Sequence, residues 1–169
     1  NLRCDCALAI GKLGYKEKAI EILIAIAEDK NQAAYLRLFC AEAMGNLRYK
    51  EKAVEILLVI AEDKTQDAYL RRDCALEIGK LGYKEKAVEI LLSIAEDKTQ
   101  EEWNRIFCVK YIGDMGYIEK ILINRLLLII EDNTHFKDIC GCCAEAIGNL
   151  GYKEKDVINR LLAIAEDEM

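Results

Sequence analysis

The segment Leu81–Asp97, LGYKEKAVEILLSIAED, recurs with small edits at Leu13–Asp29, Leu47–Asp63, Met115–Asp132 and Leu150–Asp167. Tyr15, Tyr49, Tyr83 and Tyr117 stand 34 residues apart, and Tyr152 follows after 35. Gly11, Gly45, Gly79, Gly113 and Gly148 keep the same step, as do Cys6, Cys40, Cys74, Cys108 and Cys143. Five copies fill the 169 residues, at about 1–30, 31–64, 65–98, 99–133 and 134–169, without a linker or a second domain. A chain that repeats itself this closely is a stack of like units that presents a surface, not a globule built around one pocket.

Each unit reads as two helices. In the third, helix A is expected from about Gln66 to Leu81, because Leu70, Cys74, Ile78 and Leu81 recur at three- and four-residue steps on one face. Gly82 supplies a left-handed cap to that helix, matched by Gly14, Gly116 and Gly151. Arg48 holds the same place in the second unit, whose turn must therefore be strained or built differently. Helix B is expected from about Lys84 to Glu96, burying Ala87, Val88, Leu91, Leu92 and Ala95. Thr65 and Thr99 stand where the next helix A needs an N-cap, and Thr99 with Glu102 makes a capping box. The glycine inside every helix A costs about 1 kcal/mol against Ala, for which close approach of a neighbouring helix would compensate. One such hairpin cannot bury its own apolar face, so neighbouring units must stack.

The composition supports a helical protein without membrane spans. Hydrophobic residues are 53% and charged residues 32%, there is no Pro to break a helix, and no apolar run approaches the ~18 residues of a span. The net charge of −6 argues against nucleic acid, whose affinity rests on Lys and Arg neutralising phosphates. The spacing of the eight cysteines suits reduced thiols, hence a cytoplasmic setting, better than a secreted disulfide framework.

The third unit, DAYLRRDCALEIGKLGYKEKAVEILLSIAED, resembles the short bacterial HEAT-like repeat. The shared features are an Arg early in helix A, an Ala-rich middle, Ile-Gly near its end, then Ala-Val and paired leucines in helix B. The likeness covers all five units. It implies an all-α fold, a right-handed α-α superhelix (solenoid) of five two-helix HEAT-like repeats, with B helices lining the concave side. Similar repeats occur in cytosolic scaffolds, in phycobilin lyases and in the arrays of NACHT-type signalling ATPases, which KTQDAYLRRDCA most resembles. This chain has no Gly-rich phosphate loop of its own. It opens mid-pattern, with Asn1-Leu2-Arg3 aligned to Tyr35-Leu36-Arg37, and is expected to be a piece of a longer array whose uncapped ends could stack on each other.

Asp29, Asp63 and Asp97 end their B helices, where the helix dipole disfavours an acid. Arg37, Arg71 and Arg105 follow each by eight residues, which predicts an Asp–Arg ladder between units, broken at Asp132, whose counterpart is Cys140. The cysteine column falls on the inner face of helix A and reads as small hydrophobes. Cys4, Cys140 and Cys142 stand outside it. Cys140 and Cys143 share a helix face, but no matching pair completes a tetrahedral metal set, and His135 at a helix start reads as an exposed polar residue. The acids repeat with the unit, as a solvated face does, so no catalysis, cofactor or metal is expected.

The columns that vary between units are more informative. On helix B one column reads Glu21, Glu55, Glu89, Asn124, Asn159 and the next reads Ile22, Ile56, Ile90, Arg125, Arg160. A third reads Ala25, Val59, Ser93, Leu128, Ala163. If these face the concave groove, the isoleucines form an exposed strip that marks an interaction site. A helix phase shifted by one position would bury them instead. The reading is a non-enzymatic, protein- or peptide-binding scaffold. The glutamates attract a basic segment, the isoleucines bury its apolar side chains, and Arg125 and Arg160 pair with an acidic end. A phycobilin-lyase-like chromophore handler and an architectural spacer are the alternatives. Tyr35, Tyr69 and Trp103 open successive A helices, either as interface anchors or as wedges between units.

Overall fold

A computed structural model describes residues 2–132 and 137–166; His135 lies outside the described residues. The fold is all-α. The described residues form ten helices: α1 (Leu2–Lys12), α2 (Lys16–Glu28), α3 (Ala34–Asn46), α4 (Lys50–Glu62), α5 (Ala68–Lys80), α6 (Lys84–Glu96), α7 (Glu102–Met115), α8 (Lys120–Glu131), α9 (Lys137–Leu150) and α10 (Lys155–Glu166). They alternate as A and B helices of five hairpins, in the repeat order read from the sequence. No helix among the described residues is long and apolar enough to cross a membrane.

The chain forms two compact units, Asn1–Ala87 and Val88–Met169. In the first, α2 packs between α1 and α3, and α4 between α3 and α5, while α3 also touches α1 and α5. In the second, α9 packs on both α7 and α8, and α10 on α8. Each B helix of the first unit therefore buries two flanks, one against its own A helix and one against the next.

The tyrosine-marked turn within each hairpin has a physical cause. Gly14 N–H donates to Gly11 O at 3.1 Å and Tyr15 N–H to Ile10 O at 3.2 Å, which is the paired bonding of a Schellman stop. Gly82 and Tyr83 make the same two bonds to Gly79 and Ile78. Such a stop needs a left-handed residue, and Gly14, Gly82, Gly116 and Gly151 all have positive φ. The second repeat keeps the bonding with Arg48 at φ 74°, donating to Gly45 O at 2.9 Å. Its turn is built alike and carries the strain. Arg48→Gly should raise stability by about 0.5–1 kcal/mol, the left-handed penalty less the added chain entropy. Urea unfolding would read this as a higher midpoint at unchanged m.

Three of the mid-helix glycines occupy close approaches. A methyl on Gly11 would stand 2.7 Å from Leu47 Cδ1, one on Gly45 2.8 Å from Leu81 Cδ2, and one on Gly113 3.2 Å from Ala146 Cα. In the third repeat, helix B runs as the spacing predicts. Helix A starts two residues later than expected, at Ala68, because Asp67 takes the N-cap and accepts Leu70 N–H at 2.8 Å. The Thr99–Glu102 capping box does not form: Glu101 is the N-cap of α7, and Thr99 Oγ1 donates to Asp97 at 2.6 Å.

Candidate functional site

The ends of α2, α4 and α6 are organised by the aspartates that the dipole disfavours. Asp63 accepts Thr65 N–H (3.0 Å), Thr65 Oγ1 (2.6 Å) and Gln66 Nε2 (3.1 Å). Asp97 does the same with Thr99 and Gln100, and Asp29 with Asn31 and Gln32. The recurring run Asp-Lys-Thr/Asn-Gln was the available signal for these loops. The arginines eight residues on send Nε to a helix-end carbonyl: Arg37 to Ala27 O (2.7 Å), Arg71 to Ala61 O and Arg105 to Ala95 O (both 2.8 Å). Each cation thus meets an otherwise orphan carbonyl at the negative end of the dipole. At the end of α8, Cys140 Sγ of the next repeat donates to Ile129 O at 3.6 Å, and Asp132 is held by Lys98 of the preceding repeat at 2.6 Å.

These bonds set a pH dependence. Hydrogen bonds from Thr65 and Gln66, with the nearby Arg71 charge, lower the Asp63 carboxyl; Thr99, Gln100 and Arg105 lower Asp97, and Gln32 and Asn31 lower Asp29. A carboxyl depressed on folding contributes its stability above its unfolded value, and loses it as pH falls through the folded one. The unfolding midpoint should therefore hold steady down to about pH 4 and fall below it. In the Asp63→Asn/Asp97→Asn double variant that acid slope should be shallower.

The predicted groove residues divide into two groups. Glu21, Glu55, Val59, Glu89, Ser93, Leu128 and Asn159 are exposed, as are Ala25 and Ala163. The isoleucine strip does not survive: Ile56 is 4% and Ile90 7% exposed, and Ile22 is half-buried. On α4 the buried residues Ala53, Val54, Ile56, Leu57, Ile60 and Ala61 span an arc of about 160° at 100° per residue. The sequence reading allowed for a narrower face. Packing of α4 on both α3 and α5 widens it enough to take in Ile56.

Arg125 and Arg160 are paired with glutamates of the chain. Arg125 forks onto Glu96, at 2.7 and 2.6 Å, and reaches Glu89 at 2.7 Å through Nη1. Arg160 forks onto Glu131, both bonds 2.7 Å, and lowers that carboxyl, while its Nη1 lies 3.5 Å from Asn124 Oδ1. Lys52 does a similar job in the first unit, touching Glu28 at 2.7 Å and Glu55 at 3.0 Å. Within each unit α4 is thus stitched to α2, α8 to α6 and α10 to α8, in each case by a cation of the later helix and an acid of the earlier one. The single-repeat reading missed this, because the partners are 24 to 36 residues apart.

The cysteine column is buried from Cys40 onward, and burial pushes the Cys40 and Cys74 thiols up to about 12 and Cys143 further. Cys6 is the correction: it is exposed, whereas Cys40 is sealed against α1 beside Cys4. None of the eight cysteines is in a disulfide. Tyr35 and Trp103 stand half out in solvent, Trp103 edge-on to Phe107 at 5.8 Å, so neither is a buried wedge. Tyr69 carries Arg72 over its ring at 5.5 Å.

Comparison with known proteins adds the following. A solved structure of human deoxyhypusine hydroxylase in complex with glycerol aligns over 99% of this chain and 74% of its own, at 17% identity and a TM-score of 0.36. No curated protein matches the chain. The family model for the PBS lyase HEAT-like repeat matches residues 2–29, which span α1 and α2. The four hairpins that follow keep the register of that first one, so the match falls on one of five like hairpins, the first of which is similar to the HEAT-like repeat.

Proposed function

We propose that this chain is a non-catalytic scaffold that binds a protein or peptide bearing basic side chains on the exposed faces of its B helices. The observation that carries the reading is the surface of α2 and α4, where Glu21 and Glu55 project beside Ala25 and Val59. Lys52 ties Glu55 to Glu28, which puts the two helices next to each other. Acids alternating with small apolar side chains suit an amphipathic segment: the carboxylates steer and orient it, and Val59 gives it apolar area. The chromophore-handling alternative depends on Arg125 and Arg160 as counter-ions, and both are committed to glutamates. The signalling-ATPase setting draws on no residue of this surface.

A fluorescent amphipathic peptide of Lys and Leu, titrated with the full chain and followed by anisotropy, tests the reading. Glu21→Lys/Glu55→Lys should weaken binding by about tenfold, and wild-type affinity should fall with added salt. Affinity that is indifferent to both the double reversal and the salt would refute it.

A further inference from the structure

The cysteine column recurs with the hairpins and behaves as structure. Cys4 does not belong to it: Leu38, Arg72, Ile106 and Gly141 hold its position in the later repeats. The chain thus brings two thiols together at one place where the repeat does not require it. Cys4 stands on α1 and Cys40 on α3, helices that touch, and both side chains are buried, at 6% and 0% exposure. The Cys40 thiol donates to the Cys4 sulfur. Cys6 is no rival for that contact, because residues two apart on a helix face different ways.

The two sulfurs differ in access. Cys4 lines a groove between α1 and α3 with Asp5, Leu8, Leu36 and Phe39, whereas Cys40 is fully buried. Both walls of that groove are helices of this chain. Burial and the bond to Cys4 push the Cys40 thiol up to about 12, so Cys40 is not the sulfur that meets an oxidant first.

We infer that Cys4 and Cys40 are an oxidant-sensitive pair that closes into a disulfide between the first two repeats. The oxidant is hydrogen peroxide. The Cys4 thiolate attacks its O–O bond, which leaves Cys4 as a sulfenic acid and releases hydroxide, protonated to water by the proton that Cys4 gave up. The Cys40 sulfur then attacks the Cys4 sulfur, and the Cys40 proton leaves with the departing hydroxyl as a second water. Two thiols are oxidised by two electrons, and one peroxide is reduced to two waters. The new bond joins residues 36 apart and fixes α1 to α3, the two helices between which α2 packs.

Peptide mapping of the folded full chain tests this: oxidise with hydrogen peroxide, unfold, alkylate the remaining thiols and cut with trypsin. The fragment Cys4–Lys12 should be recovered joined to Leu38–Arg48, two hydrogen masses lighter than the pair. Tandem fragmentation should place the join on Cys4, and dithiothreitol should undo it. The join should persist in Cys6→Ser and disappear in Cys4→Ser. In Cys6→Ser the oxidised chain should melt about 5–15 °C above the reduced one, because the cross-link restricts the unfolded state. A join on Cys6, or a Cys40 that is fully alkylated in the oxidised and unfolded wild-type chain, would overturn the inference. So would a Cys4–Cys40 join that leaves the melting temperature where it was.

Discussion

Arg105→Ala should destabilise the protein by about 3 kcal/mol, the largest effect expected of any single charged residue here. Arg105 is 2% exposed, and its Nε donates to Ala95 O at 2.8 Å. Truncation removes a charge-assisted bond, strips a buried carbonyl of its donor and empties the space of the aliphatic stem. The equivalent arginines provide an internal scale: Arg71 is also buried, and Arg37 is half-buried with the same bond geometry. The losses should therefore rank Arg105, then Arg71, then Arg37, the last costing about 1 kcal/mol. Lys at position 105 would keep the charge without the planar fork, and should recover only part of the loss. Urea unfolding with amide exchange in α7 would measure the series. Equal, small losses at all three sites would make the arginines surface charges.

Ile56→Ala should cost about 2–4 kcal/mol, because the side chain is 4% exposed and its removal leaves a cavity between α4 and the helices it packs on. Ile56→Glu should unfold the first unit, since a carboxylate there has neither water nor a partner. Val59, three residues on and 54% exposed, supplies the control: Val59→Ala should change stability by less than about 0.5 kcal/mol. This contrast decides the phase of helix B. A tolerated Ile56→Glu would return the isoleucine column to the surface, and the groove drawn from the sequence with it.

The repeat period made much of the fold legible. It set the bounds of α6, the left-handed glycines and the odd position of Arg48, because each follows from local spacing and backbone sterics alone. It also marked the glycines as points of close helix approach, which Gly11, Gly45 and Gly113 are. What escaped was whatever depends on the neighbouring repeat. Ile56 looked exposed because the second flank of α4 is covered by α5, a helix of the next repeat. Arg125 looked available to a ligand because Glu96 and Glu89 lie 29 and 36 residues back, beyond any window in which a helix face is read. Cys6 looked buried because its column is buried wherever a preceding helix A covers it.

The aspartates are the instructive middle case. Their recurrence was plain, and their position against the helix dipole raised the right question. The expected answer was the arginine. The carboxylate holds its own loop through Thr and Gln, the arginine Nε takes the carbonyl two residues earlier, and the Arg71 charge also lowers Asp63.

The central functional claim, that the open faces of α2 and α4 recognise a basic segment, is tested most directly by mapping where such a segment lands. Amide shifts of the isotopically labelled chain should be followed as the Lys/Leu peptide is added. The account predicts that the largest changes cluster at Glu21, Ala25, Glu55 and Val59, and that they vanish in Glu21→Lys/Glu55→Lys. Changes concentrated on the A helices, or spread evenly over every exposed acid, would contradict it.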